Sequence, residues 1–283
     1  MLPRGLLPVV ADVLGADIPD VTADHVRAVI DAGLPELDEL DAKGEHYKSG
    51  KDGSREFAKD ISAMANHRGG VLLIGAAEPD QDRPVWTLTP VEIGDEVERR
   101  YQGIASTRCA PPLSIRFLSI RTEDDGRGVL LILTTPTPAL GPHAVRDGAS
   151  LSYHRRAHST TRELTEPEVR QAYAESAAFV SRRQKQAETR LTAARGLLDD
   201  GLWLVSIATP DIPGRWPVNA DRVGEVRSWK GPQILGPGGV RTPPQEVSTI
   251  VGGVQQLRLS DEAKLTDQYH AIYDDGSALG AVS

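Results

Sequence analysis

"SAMANHRGGVLLIGAAE", residues 62–78, changes its period within two glycines. On the N-terminal side, with Ser54 as a plausible N-cap, Phe57, Ile61, Met64 and Ala65 recur at i, i+4, i+7 and i+8, one apolar face of a helix. On the C-terminal side, "VLLIGA" (71–76) is an unbroken apolar run of strand length, the pattern of a strand covered on both faces. The junction "HRGG" is either a phosphate-cradling loop or a bend. A P-loop sets its glycines between a strand and the following helix, so that amides at the helix N-terminus face the phosphates. Here the order is reversed, and the glycines follow a helix C-terminus, where the macrodipole repels anions. The expectation is therefore a structural loop, with Asn66 as a cap, Gly69 in the left-handed region and Gly70 permitting close backbone approach.

Working outward, "PLSIRFLSI" (112–120) alternates as a strand and "GVLLILTTP" (128–136) reads as a central one, joined by the turn "TEDDGRG" as a hairpin. "ASLSYHRR" (149–156) is a further strand, and residues 166–201 are helical over most of their length. Towards the N-terminus, "VTADHVRAVIDAG" (21–33) is a short helix with Thr22 as N-cap and Gly33 as stop, and "GEHYK" (44–48) is a candidate short strand leaving a polar, turn-rich segment. Beyond a boundary near 180–195 come a strand at 202–209, long Gly- and Pro-rich stretches and a hairpin at 267–283. The expected architecture is α+β: an N-terminal helical segment (1–33), a mixed α/β domain (34–180) and a smaller β-rich C-terminal domain (195–283).

With 283 residues, 39% hydrophobic and 25% charged, the chain has a globular composition. No apolar run approaches the roughly 20 residues that span a bilayer. Asp12 interrupts the apolar N-terminal stretch, which argues against a secretory signal, and a single cysteine, Cys109, excludes an internal disulfide framework; a cytoplasmic location is the expectation. The net charge is −8, but residues 1–45 hold ten acids against three basic side chains, so nearly all of it resides there. The remainder is close to neutral and free to concentrate cations on one face, "YHRRAHSTTR" (153–162) being its densest basic stretch. His154 and His158 are four apart in a strand-and-turn context rather than a helix, so they, like His143, are expected at the surface or in the core rather than on zinc. Trp86, Trp203, Trp216 and Trp229 repeat at no spacing suited to base stacking.

Taken in order, "GEHYK", "EFAKDISAMANHRGGVLLIGAAE" (56–78), "PHAVRDG" (142–148) and "YHRRAHSTTRELTEPEV" (153–169) resemble successive blocks of the Schlafen-type Alba-like domain, a module labelled as DNA-binding or ATP-binding. The resemblance covers about residues 34–178. It implies that Glu45, Tyr47 and Lys48 match the family's acid–aromatic–lysine strand and that Arg155 matches its arginine. In the RNA-cutting branch that acid works with a second one upstream and a third beyond the glycine-led strand. The third place falls on Glu78 or Asp80; the upstream place falls on Leu40, and a one-residue slip reaches Glu39. Such clustered carboxylates hold a divalent metal, Mg2+ or Mn2+, for phosphoryl transfer.

From the residues alone, the acidic run "ELDELDAKGE" (36–45) also fits a solvated linker. Neighbours on a strand point to opposite faces, so one of Arg155 and Arg156 can meet a ligand while the other pairs with an acid. Thr160 and Arg162 complete the candidate phosphate contacts. The favoured expectation is a nucleic-acid-binding module, for RNA or DNA, acting through Lys48 and Arg155 on one shared basic surface. The alternatives are a metal-dependent ribonuclease using Glu45, Glu39 and Glu78, and a nucleotide-binding protein for ATP without a Walker sequence. The acidic residues 1–45 are expected to pack away from the basic face or to cover it, and the C-terminal domain is the expected place for a protein partner or for self-association.

Overall fold

The computed structural model describes residues 7–34, 37–79, 85–157, 160–196, 198, 204–209, 246–250, 253–259, 266–273 and 278–282. Asp80, His158, three of the tryptophans (Trp203, Trp216 and Trp229) and the Gly- and Pro-rich stretch of the C-terminal domain lie outside them. The chain divides into two compact units, residues 1–177 and 178–283.

The first unit opens with helices α1 (Pro8–Leu14) and α2 (Ala23–Ala32), separated by a 3-10 turn at Ile18–Asp20. Thr22 caps α2 in a capping box with His25, and Gly33 ends it at φ +85°. Next come β1 (Leu40–Lys43), α3 (Lys51–Ala65), β2 (Gly70–Ile74) and the short pair β3 (Ala76–Ala77) and β4 (Thr87–Leu88). They are followed by α4 (Asp95–Arg108), β5 (Cys109–Ala110), β6 (Ile115–Arg121), β7 (Gly128–Thr134), β8 (Ala144–Asp147), β9 (Ser150–Ala157) and β10 (Thr160–Glu163). Helix α5 (Glu166–Arg195) starts in this unit and continues into the second.

The central sheet has the order β1-β2-β7-β6, with β1 parallel to β2 and the other pairs antiparallel. Every residue of β2 and β7 is buried, as their unbroken apolar runs require of strands covered on both faces. Alternation then divides the side chains. Val71, Leu73, Leu131 and Leu133 pack with Val10, Leu14, Val26 and Ile30 of α1 and α2. Leu72, Ile74, Leu130 and Ile132 pack with Phe57, Ile61, Met64 and Tyr101 of α3 and α4. The N-terminal helices are thus one outer layer of this unit, on the opposite face of the sheet from α3. A second antiparallel sheet, β10-β9-β8-β5, lies beside α3.

Several elements differ from the sequence expectation. The acidic run is not a solvated linker throughout: β1 forms inside it because Leu40 and Ala42 alternate into the core, while "GEHYK" is an irregular loop. Helix α3 begins at Lys51 after Gly50 rather than after Ser54. Helix α4, absent from the sequence expectation, buries only Val97, Tyr101 and Ala105, a narrow stripe in a charged segment. In the second unit, β11 (Leu204–Ala208), β12 (Glu246–Ile250), β13 (Gly253–Leu259), β14 (Thr266–Tyr273) and β15 (Ala278–Val282) form an antiparallel sheet in the order β11-β15-β14-β13-β12. Ala194 of α5 packs there with Ala271, Tyr273, Leu279 and Ala281, and the Arg190 guanidinium lies 3.8 Å from the Tyr273 ring centroid. The molecule is α+β, with both helices and strands in quantity.

Candidate functional site

The junction between α3 and β2 is a structural loop. Gly69 takes φ +81°, and its N–H donates to the Met64 carbonyl at 2.9 Å, closing the helix end. A Cβ there would lie 2.6 Å from the Thr134 carbonyl oxygen; one on Gly70 would lie 2.8 Å from that of Glu39. Asn66 makes more than a cap. Its Nδ2 donates to the carbonyls of His143 (2.8 Å) and His154 (2.9 Å), and its Oδ1 accepts the His143 N–H at 2.7 Å, joining the end of α3 to β9 and the segment entering β8. Arg155 Nε donates to the Asn66 carbonyl at 2.9 Å, so this cation sits at the negative end of the helix.

The loop after β1 is built around tyrosines. Tyr47 is buried and donates its hydroxyl to Asp60 Oδ2 of α3 at 2.6 Å. The Tyr101 hydroxyl accepts the Tyr47 N–H at 3.3 Å and lies 3.0 Å from His46 Nδ1, while His46 Nε2 lies 2.8 Å from the Glu92 carbonyl. Burial lowers the pKa of His46 and raises that of Asp60 and, strongly, of Tyr47. Beside them Asp41 receives two cations: Lys43 Nζ at 3.0 Å and Arg156 Nη2 at 3.7 Å. Arg156 is only 5% exposed, so of the two adjacent arginines this one is committed to an internal carboxylate.

The acids proposed to share a metal are not gathered. Glu39 precedes β1, is buried and lies 3.7 Å from Arg68; Glu45 follows β1 and is exposed. The strand between them spans about 13 Å, whereas carboxylates on one divalent ion must each come within roughly 2.5 Å of it. Glu78 is exposed just past β3, and it and Glu45 leave the same sheet end, because Gly44 packs on Ala77. Among the described residues no three His, Cys, Asp or Glu side chains form a group that could hold a metal. The residues present do not fit the metal that the resemblance implies: Glu39 lies at the wrong end of β1, and the cation at the other end is Lys43, whose pKa burial lowers but Asp41, Asp60 and Glu78 raise, with a net rise.

Lys48 and Arg155, expected on one shared basic surface, lie at opposite ends of α3. Lys48 is exposed in the loop that crosses the first turn of α3, where a Cβ on Gly53 would lie 1.9 Å from its carbonyl oxygen. Arg155 is at the other end of the same helix, about 20 Å away at 1.5 Å per residue. Thr160 is exposed and donates its hydroxyl to the Ala157 carbonyl. Arg162 is held by both oxygens of Glu168 (2.6 and 3.0 Å), which also accepts from Thr165 at the start of α5. Arg162, with Thr165, brings the Glu168 carboxyl down to about 2.

Between these ends α3 carries two charged rows four residues apart: Lys51, Arg55 and Lys59, and next to them Asp52, Glu56 and Asp60. Asp60 of the acidic row turns to Tyr47. The cationic row turns towards β8, where Asp147 meets Lys51 at 2.8 Å and Arg55 at 3.8 Å. Lys51, Arg55 and Arg108 together lower the Asp147 pKa, the Lys51 hydrogen bond most. Lys59 has no carboxylate within ion-pair distance among the described residues. A cleft of about 370 Å³ opens here, lined by Asp52, Arg55, Glu56, Lys59, Val145 and His154. Burial lowers the pKa of His154, Lys59 and Arg55 lower it further, and Glu163 of β10 opposes them. The i, i+4, i+8 spacing of this row is present in the sequence, but the interleaved acids make the segment read as mixed charge.

The family model described as Schlafen, AlbA_2 matches residues 36–165. Among solved structures, the N-terminal domain of a RecG-related protein from Nitrosomonas europaea aligns with 18% identity over 51% of this chain and 95% of that one, at a TM-score of 0.37. No curated protein matches the chain in sequence. No helix among the described residues is long and apolar enough to cross a membrane. The matched residues 36–165 take in the loop after β1, α3 and the cleft beside it, so this part of the chain is similar to the Schlafen, AlbA_2 family.

Proposed function

We propose that the first unit binds nucleic acid, RNA or DNA, by contacting phosphates along the cationic row of α3. Lys51, Arg55 and Lys59 supply the row, Lys48 extends it at the N-terminal end of the helix, and Arg155 marks its other end. The observation that carries this reading is the cationic row itself: Asp147 is shared among Lys51, Arg55 and Arg108, and Lys59 has no carboxylate within ion-pair distance among the described residues. The match of residues 36–165 to the Schlafen, AlbA_2 family model supports a role with nucleic acid. The acidic layer of α1 and α2 does not compete, since it lies across the central sheet from α3. No step is assigned to a metal, because Glu39, Glu45 and Glu78 do not converge. The second unit is the proposed place for a protein partner.

Fluorescence anisotropy with labelled single-stranded RNA and duplex DNA, titrated between about 50 and 200 mM salt, tests this. Phosphate contacts release counterions, so affinity falls with salt at a slope of roughly 0.7 to 0.9 per phosphate neutralised. The triple variant Lys51→Glu, Arg55→Glu, Lys59→Glu is expected to bind at least tenfold more weakly at low salt, with a slope shallower by about two. Affinity and slope that survive the triple reversal refute the proposal.

A further inference from the structure

We infer that the cleft between α3 and the β8–β9 strands is a site for a phosphate monoester, at the end of a nucleic-acid strand or on a free nucleotide. The inference rests on the nucleic-acid reading for its setting and on the cleft itself for its ligand. Three donors meet there: the guanidinium of Arg55, the ammonium of Lys59 and the imidazole of His154. His154 Nδ1 is sealed from solvent and has no hydrogen-bond partner among the described residues. An unsatisfied N–H costs more than an unsatisfied lone pair, so the ring proton belongs on Nε2 and His154 offers the cleft a donor. A phosphate monoester has three terminal acceptor oxygens and a charge of about −1.5 to −2 at neutral pH, matching three donors of which two are fixed cations.

A through-running strand fits the same cleft poorly. Asp52 and Glu56 line it together with Arg55 and Lys59, and all four lie within about 10 Å of helix rise. A continuous polyanion passing over that length has to set further phosphates beside those carboxylates. A terminus does not: its single phosphate sits between Arg55, Lys59 and His154, and the hydroxyls of the attached sugar find acceptors in Asp52 and Glu56. The rest of the strand leaves over Lys51 and Lys48, at the N-terminal end of α3.

The test uses the full chain and labelled oligonucleotides of one sequence ending in a 5′-phosphate, a 3′-phosphate or only hydroxyls, with a nucleoside monophosphate as a separate titrant. The expected result is at least tenfold tighter binding of one phosphorylated end than of the hydroxyl ends. In Lys59→Met and in Arg55→Gln that preference, read as a ratio of affinities, drops to about twofold or less, whatever affinity each variant loses for the hydroxyl-ended oligonucleotides. Arg55 is exposed and Lys59 half-buried, and unaltered circular dichroism and melting separate a lost site from a lost fold. Equal affinity for all ends, with salt-dependent binding retained, overturns the monoester site and leaves the proposed function standing. Saturable binding of the nucleoside monophosphate, lost in Lys59→Met, with no binding of any oligonucleotide upholds the site for a free nucleotide and overturns the proposed function. No binding of either overturns both.

Discussion

Asn66 is the residue on which the geometry of the site depends. Three side-chain hydrogen bonds from one amide hold the His143 and His154 backbones against the end of α3, and the Asn66 carbonyl receives Arg155. At about 1 kcal/mol net for each bond, Asn66→Ala is expected to destabilise the first unit by roughly 3 kcal/mol. Urea unfolding followed by tryptophan fluorescence measures it, and a loss below about 1 kcal/mol contradicts the bracing role. Asn66→Asp keeps the acceptor but removes both donors, so it is expected to recover little. A cap at Asn66 is legible in the sequence because the apolar period stops there and a glycine pair begins three residues later. Its partners are not, since they lie 77 and 88 residues away on strands whose register no local pattern fixes. The same holds for Arg156: alternation says that one of the two arginines turns inward, but only the position of Asp41 on β1 decides which one.

At the scale of elements, α3 carries the account, and its residues serve three neighbours at once. The apolar face of Phe57, Ile61 and Met64 enters the core, the acidic row anchors the loop after β1 through Tyr47, and the cationic row faces outward beside β8. Like charges four residues apart cost a helix a few tenths of a kcal/mol per pair, a cost that a purely structural helix has no reason to keep. Gly53 lets Lys48 cross the first turn closely. Gly53→Ala is expected to displace residues 47–49 and cost about 1–3 kcal/mol, because the added methyl meets a backbone carbonyl rather than a pliable side chain. It is also expected to weaken nucleic-acid binding through Lys48. A variant as stable as the wild type, with unchanged binding, shows that the loop does not lie as described. The apolar periods of α3, β2 and β7 are legible because burial on a defined face imposes them. β1 is hidden in an acidic run because only Leu40 and Ala42 of its four residues face the core, and α4 is hidden because its buried stripe is a single row of three.

For the whole first unit, the central sheet keeps part of the N-terminal acidity away from the cationic row. α1 and α2, with Asp12, Asp17, Asp20, Asp24 and Asp31 in and between them, cover one face, while α3 covers the other. Net charge alone hides this, which is why a value of −8 does not argue against a nucleic-acid partner. Removing residues 1–33 is a poor probe of the acids' influence, since it also strips Val10, Leu14, Val26 and Ile30 from the core. The central claim is that nucleic acid lies along α3, and lysine labelling reads that directly. The protein is treated with an amine-reactive reagent, with and without saturating oligonucleotide, and modification at each lysine is quantified by mass spectrometry. The account predicts that Lys48, Lys51 and Lys59 become several-fold less reactive on binding while exposed Lys185 on α5 does not change. Protection confined to Lys185, or no protection at Lys51 and Lys59 under saturating conditions, contradicts it.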